Sequence, residues 1–151
     1  MNRSKYYEFL DTVLQMLKGR DPPNFAIHVF HHACVVGMSW AWLEYTQSLQ
    51  FIGLLFNTFV HTVMYYYYFR VSYTGVKPRW KAAVTSIQVV QFVTSLICFV
   101  VTMGIIYLNG TECAGKVPLL GNLVFNVILL SQFWGILMGT LAAARPGPKD
   151  D

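Results

Sequence analysis

Charge is what this sequence has least of. Only 12% of its 151 residues are Asp, Glu, Lys or Arg, against 55% hydrophobic residues and a mean hydropathy of +0.44. Soluble domains carry about 25% charged residues, so the composition turns away from a water-soluble globule and toward a membrane protein. Cysteine is scarce as well, with three in the chain. Cys34 and Cys98 fall inside apolar runs as small apolar residues, and Cys113 has no neighbour to pair with. That spacing suggests neither a zinc site nor a disulfide framework. There is no internal repeat, no low-complexity tract and no soluble domain. No secretory signal is expected, because Met1–Lys5 leads into a Tyr-rich segment without a small-residue cleavage site. The net charge of +4 calls for no nucleic-acid partner, because the basic residues sit in connections that orient helices.

Long apolar runs are what is there. A spanning helix needs about 20 mostly apolar residues. Four runs meet that need, Phe25–Leu43, Leu49–Phe69, Ala82–Leu108 and Val117–Ala143, and a fifth, Tyr6–Leu17, is apolar but short. The fold class expected is all-α, a polytopic membrane helix bundle of about five transmembrane helices. Residues 1–144 form a single transmembrane domain and 145–151 a short cytoplasmic tail. Lys18 and Arg20, then Arg70, Lys77, Arg79 and Lys81, then Arg145 and Lys149 occupy alternate connections. Lys and Arg excess marks the cytoplasmic side, so the 109–116 connection faces the lumen, where Asn109–Thr111 reads as a glycosylation acceptor. The bias that orients helices accounts for the basic residues of the 70–81 connection, and the sharper alternative is that it also meets an anionic, phosphate-bearing substrate.

The polar residues inside the runs are not scattered. His28, His31 and His32 share one helix face, since positions three and four apart are neighbours. By the same spacing Asn57, His61, Met64 and Tyr65 align, with Tyr68 continuing the stripe. Thr85, Gln88 and Gln91 align on the next run, and Lys5, Glu8, Asp11 and Thr12 on the first. In the last run Asn122, Asn126 and Ser131 read as scattered.

Depth joins these stripes. At a rise of about 1.5 Å per residue, His31 lies about 9 Å inside its helix, His61 roughly 13 Å, Gln88 and Gln91 roughly 9 to 14 Å, and Asp11 about 10 Å. All are measured from the cytoplasmic end. An ionised side chain at mid-membrane costs about 2.5–3.5 kcal/mol on insertion scales, so such residues face a protein interior or a wet cavity. A polar site open toward the cytoplasm follows. Membrane helices also use His, Gln, Asn and Thr to bond one another, which is the competing account for Asn57, Thr85, Gln88 and Gln91 taken singly.

The segments "KYYEFLDT", "HVFHH", "NTFVHTVMYYYY" and "TSIQVVQ", in this order and spacing, resemble the four signature motifs of the ELO family, the very-long-chain fatty acid elongases of the endoplasmic reticulum. The His-x-x-His-His box alone is unspecific, whereas the four together are highly specific. The resemblance covers the chain from Ser4 to about Leu141. It implies a seven-helix fold enclosing an acyl tunnel, with a multi-pass chain in the reticulum membrane and the catalytic site open to the cytoplasm. It also implies condensation of a long-chain acyl-CoA with malonyl-CoA to a 3-ketoacyl-CoA, with loss of carbon dioxide and CoA.

Residue by residue, the resemblance implies an acyl-imidazole intermediate on His31, with His61 facing it. His28 and His32 could orient the imidazole, move protons or stabilise the enolate. Asn57, Gln88 and Gln91 could donate to developing oxyanions, and Lys5, Glu8, Asp11 and Tyr65 would line the substrate path. No cofactor and no metal are expected. The expected partners are the two CoA substrates, membrane lipid and other enzymes of the elongation cycle, with a homo-oligomer left open. Two rivals are a His-ligated metal or haem membrane protein and a non-catalytic membrane relative. The resemblance also expects two helices before the first motif, and a second lysine near the C-terminus where Pro148 stands.

Overall fold

The computed structural model describes Val13, Leu17 and residues 25–45, 49–110 and 115–144. Four helices make up almost all of it: α1 (Phe25–Glu44), α2 (Gln50–Thr74), α3 (Lys81–Asn109) and α4 (Lys116–Ala143). No strand occurs among the described residues. Val13 and Leu17, the described residues of the short fifth run, are both helical. The fold class is all-α and of the polytopic membrane type.

The helix ends follow from local chemistry. α2 runs through Arg70 to Thr74, past the end of its apolar run. It stops at Gly75, whose φ of 67° is left-handed and whose N–H donates to the Val71 carbonyl at 3.0 Å. This is an αL cap, which glycine fills without a Cβ penalty. Gly110, at φ 59°, ends α3 in the same backbone region. α4 carries Pro118 in its first turn, where the missing N–H has no partner to lose.

α3 and α4 are long and apolar enough to cross a membrane. At 20 and 25 residues, α1 and α2 also have the length, α1 reaching about 30 Å. Their histidines, and the Asn-, Thr- and Tyr-rich stretch of α2, hold them below the same apolarity. Within α3 and α4 only 11% and 17% of the apolar windows are buried by protein. Val90, Ile97, Val100, Val101, Val124 and Val127 stand exposed. Apolar surface in water costs about 25 cal/mol per Å², so these faces belong against lipid. Threonine hydroxyls behave accordingly. Those of Thr58, Thr62, Thr102 and Thr140 each donate to a carbonyl one turn back, at 2.8–2.9 Å, which satisfies them where water is absent.

Two compact units divide the described chain. One takes in α1 and Ile105–Phe125. There the first turns of α4 lie along α1 in antiparallel sense: Phe125 meets Phe30 and His31, and Gly121 meets Met38. The other takes in Leu49–Gly104 and α4 from Asn126 onward. There α2 and α3 form a hairpin closed by Trp80, whose ring lies 6.0 Å from Tyr66 and 5.1 Å from the buried Tyr67. Phe92 of α3 packs on Phe133 of α4 at 5.4 Å. Val60, Val84, Val89, Leu129 and Leu137 fill the interior.

Replacing Gly75 with valine forces a β-branched side chain into the left-handed region and should cost about 1–2 kcal/mol. Gly104→Ala, in mid-helix with open space around the added methyl, should be neutral or stabilising. Unfolding in detergent micelles, monitored by helical circular dichroism, separates the two.

Candidate functional site

α1 concentrates imidazoles on one face. The His28 and His32 rings lie 4.4 Å apart at 58°, and those of His31 and His32 lie 5.1 Å apart at 81°. His32 is buried at 6% exposure, while His28 and His31 are half-buried. The geometry follows from the helix, which stacks positions 28 and 32 one turn apart and sets 31 beside them. A second element fixes His31. Phe125 of α4 stacks on its imidazole at 5.9 Å and 19°, and the Phe30 ring lies 6.1 Å from Phe125. Nothing in the sequence singled out Phe125, because it is one apolar residue among many on an apolar helix. Its role appears only when α4 is laid against α1.

The same α1 face continues past the histidines. Ser39, one of the two buried residues of α1, falls in phase with His28 and His32, and Trp42 follows one turn later. The Ser39 hydroxyl and the Trp42 indole N–H are both buried, with no hydrogen-bond partner among the described residues.

The second unit gathers the other two described stripes. His61 and Tyr65 approach within 5.9 Å. The Gln88 side-chain amide donates to Met64 Sδ at 3.7 Å, a weak acceptor, and so ties the α2 stripe to the α3 stripe. Thr85 is buried and its hydroxyl donates to the Lys81 carbonyl at 3.4 Å. Asn57 and Gln91 are half-buried on their helices, while Tyr65 is 42% exposed. His31 and His61 belong to different units. Lys5, Glu8 and Asp11 lie outside the described residues. No group of three His, Cys, Asp or Glu side chains among the described residues is arranged to hold a metal ion.

α4 departs from its expected scatter. Asn122 and Asn126 sit one turn apart on the helix face that also carries Leu119, Leu129 and Leu137, and Asn126 is buried at 6% exposure. Ser131 points elsewhere, is exposed, and donates to the Ile128 carbonyl at 2.7 Å. The two asparagines hid in the sequence because their stripe is mostly leucine, so polarity alone does not trace it.

Comparison with known proteins bears on what such a chain is. The family described as ELO, GNS1/SUR4 family, matches residues 2–140. Fatty acid elongase sre1 of Dictyostelium discoideum is 36% identical over 90% of this chain and 48% of its own length. Fatty acid elongase A of the same organism is 39% identical over 62% of this chain and 33% of its own length. Very long chain fatty acid elongase 5 of Mus musculus is 33% identical over 62% of this chain and 32% of its own length. The chain thus spans half or less of the length of these relatives. No solved structure matches it.

Removing the Phe125 ring should uncover His31. Phe125→Ala is expected to speed carbethoxylation of His31 by diethylpyrocarbonate several-fold, read by peptide mass, while leaving the rate at His61 unchanged. An unchanged His31 rate would mean that the stack does not shield it.

Proposed function

The chain belongs to the ELO, GNS1/SUR4, family, and from that premise we propose that it acts in fatty acid elongation as the condensing acyltransferase. The substrates are a long-chain acyl-CoA and malonyl-CoA, and no cofactor is required. One observation carries the reading: three imidazoles on one face of an apolar helix, His32 in ring contact with both His28 and His31, and His31 held by a stacked phenylalanine.

A thioester needs a nucleophile that leaves again readily. Imidazole qualifies, since its unperturbed pKa of about 6.5 leaves a neutral nitrogen available near pH 7. A ring nitrogen of His31 attacks the thioester carbonyl, and the C–S bond breaks. The CoA thiolate leaves and takes up the proton that the imidazolium gives up. Malonyl-CoA then loses carbon dioxide to give a carbon nucleophile, which attacks the acyl carbon; the C–N bond breaks, and His31 leaves and takes up a proton from solvent. Splitting one hard step into two is the gain of covalent catalysis. Holding the imidazole by a stack and by neighbouring rings favours the attacking geometry.

His28 and His32 orient His31 or move its protons. His61 serves as the second catalytic histidine. Asn57, Gln88 and Gln91 supply donors for developing oxyanions. Lys5, Glu8, Asp11 and Tyr65 line the substrate path. The protein resides in the endoplasmic reticulum membrane with this site open to the cytoplasm, and it works beside the other enzymes of the elongation cycle. The charge asymmetry of the connections supports that orientation.

Membranes carrying the chain, from a host lacking its own elongases, should convert malonyl-CoA and a long-chain acyl-CoA to the 3-ketoacyl-CoA. His31→Ala should lower product by at least about a hundredfold, the scale of losing a positioned catalytic group. A stable acyl adduct formed by His31→Ala would exclude His31 as the nucleophile. Absence of product from the chain, with acyl-CoA still bound, would favour a non-catalytic relative. Orientation is checked separately: in eukaryotic cells Asn109→Gln should abolish a glycosidase-sensitive gel shift.

A further inference from the structure

The α2–α3 turn gathers positive charge that no carboxylate among the described residues of its own unit answers. Arg70, Lys77, Arg79 and Lys81 are all exposed. Among the described residues of the unit there is no Asp or Glu at all. The turn that presents them is tied down at both ends. Gly75 caps α2 on Val71, and the Thr74 hydroxyl donates to the Arg70 carbonyl at 2.7 Å while accepting from the Val76 N–H at 3.3 Å. On the return, Trp80 packs on Tyr66 and Tyr67.

Exposed aromatic and apolar side chains flank these cations. Phe69 and Tyr73 stack on each other at 5.9 Å and 17°, yet are 61% and 81% exposed. Tyr66 and Val76 are 56% and 67% exposed. Exposed aromatic rings of α2 beside lysine and arginine, where the chain turns into α3, a helix long and apolar enough to span, match the chemistry of the headgroup layer. A site for a free phosphate compound would not need its apolar rim turned outward.

We propose that this turn is a binding site for anionic phospholipid. Arg70, Lys77, Arg79 and Lys81 engage headgroup phosphate and carboxylate, and the Phe69–Tyr73 stack beds among the upper acyl carbons. Basic residues next to a membrane surface each contribute on the order of a fivefold gain in association with anionic lipid. The cluster should therefore choose anionic over zwitterionic lipid well beyond the ratio supplied. The proposal stands on the unit's charge and exposed rings, and does not depend on the enzymatic reading.

The test uses the full chain in detergent with equimolar phosphatidylserine and phosphatidylcholine, with retained lipid counted by native mass spectrometry. The expected result is a strong excess of phosphatidylserine that shrinks as salt is raised. The combined change Lys77→Gln, Arg79→Gln, Lys81→Gln should bring the excess close to one. Lys77→Arg with Lys81→Arg should keep it, as should Lys116→Gln in the other unit. Circular dichroism checks that each variant remains helical. Equal retention of the two lipids by the unmodified chain would overturn the proposal, as would an excess that survives the triple change. Displacement of the lipid by micromolar adenosine 3′,5′-bisphosphate would overturn it too, and would reassign the turn to a soluble phosphate compound.

Discussion

The constraint on which this structure depends is the absence of water around most of its length. In hydrocarbon an unpaired backbone group costs several kcal/mol, so the chain is helical almost wherever it is described. The same rule reaches the side chains. Threonine hydroxyls fold back onto carbonyls of their own helices. Histidine, glutamine and asparagine cannot do so as simply, and those within the helices, Gln132 and the terminal Asn109 excepted, lie where protein rather than lipid is a neighbour. His32, Thr85 and Asn126 are buried, while valines and isoleucines of α3 take the exposed positions. A soluble protein sorts its residues by burying apolar ones. Here apolar residues fill the interior and also face outward, while polar ones within the spans are drawn inside beside them, and that is what gathers imidazoles into contact.

That sorting made much of the fold legible before any coordinates. The expected runs Phe25–Leu43, Ala82–Leu108 and Val117–Ala143 differ from α1, α3 and α4 by one residue at most at each end. Apolar content changes abruptly at those ends, and so does helix. α2 was expected to end at Phe69 but continues to Thr74, because its last turns carry arginine, serine and threonine. Hydropathy sees these as connection, while the backbone sees no reason to stop before Gly75. The histidine face was equally legible, since i, i+3 and i+4 spacing fixes it once a helix is granted.

What the sequence withheld was partnership between elements. Phe125 against His31, Trp80 against Tyr66 and Tyr67, and Phe92 against Phe133 are contacts that each rest on at least one aromatic residue of no special polarity. An aromatic ring in an apolar helix looks the same whether it meets lipid, core or an imidazole. The buried Asn126 was missed for a related reason: its face is read by packing, not by the few polar residues on it. Pairing of Met64 with Gln88 lay nearer to hand, because both stripes were visible and only their juxtaposition was not.

The two polar features of the chain answer the same constraint in different ways. The histidines lie within an apolar helix, so their polarity has to be met by protein, and the contacts that meet it also restrict how each ring can turn. A ring stacked between neighbours has lost orientational freedom before any ligand arrives, which is the preorganisation that catalytic and binding groups need. The cations of the 70–81 turn lie past the end of the apolar run and remain exposed. Their charges need no internal partner, and the turn is held instead by Gly75, Thr74 and Trp80. Rigidity is thus supplied by side-chain packing where the chain is surrounded by lipid, and by backbone capping and one indole where it leaves the lipid. Each polar group is fixed by whichever means its surroundings leave available.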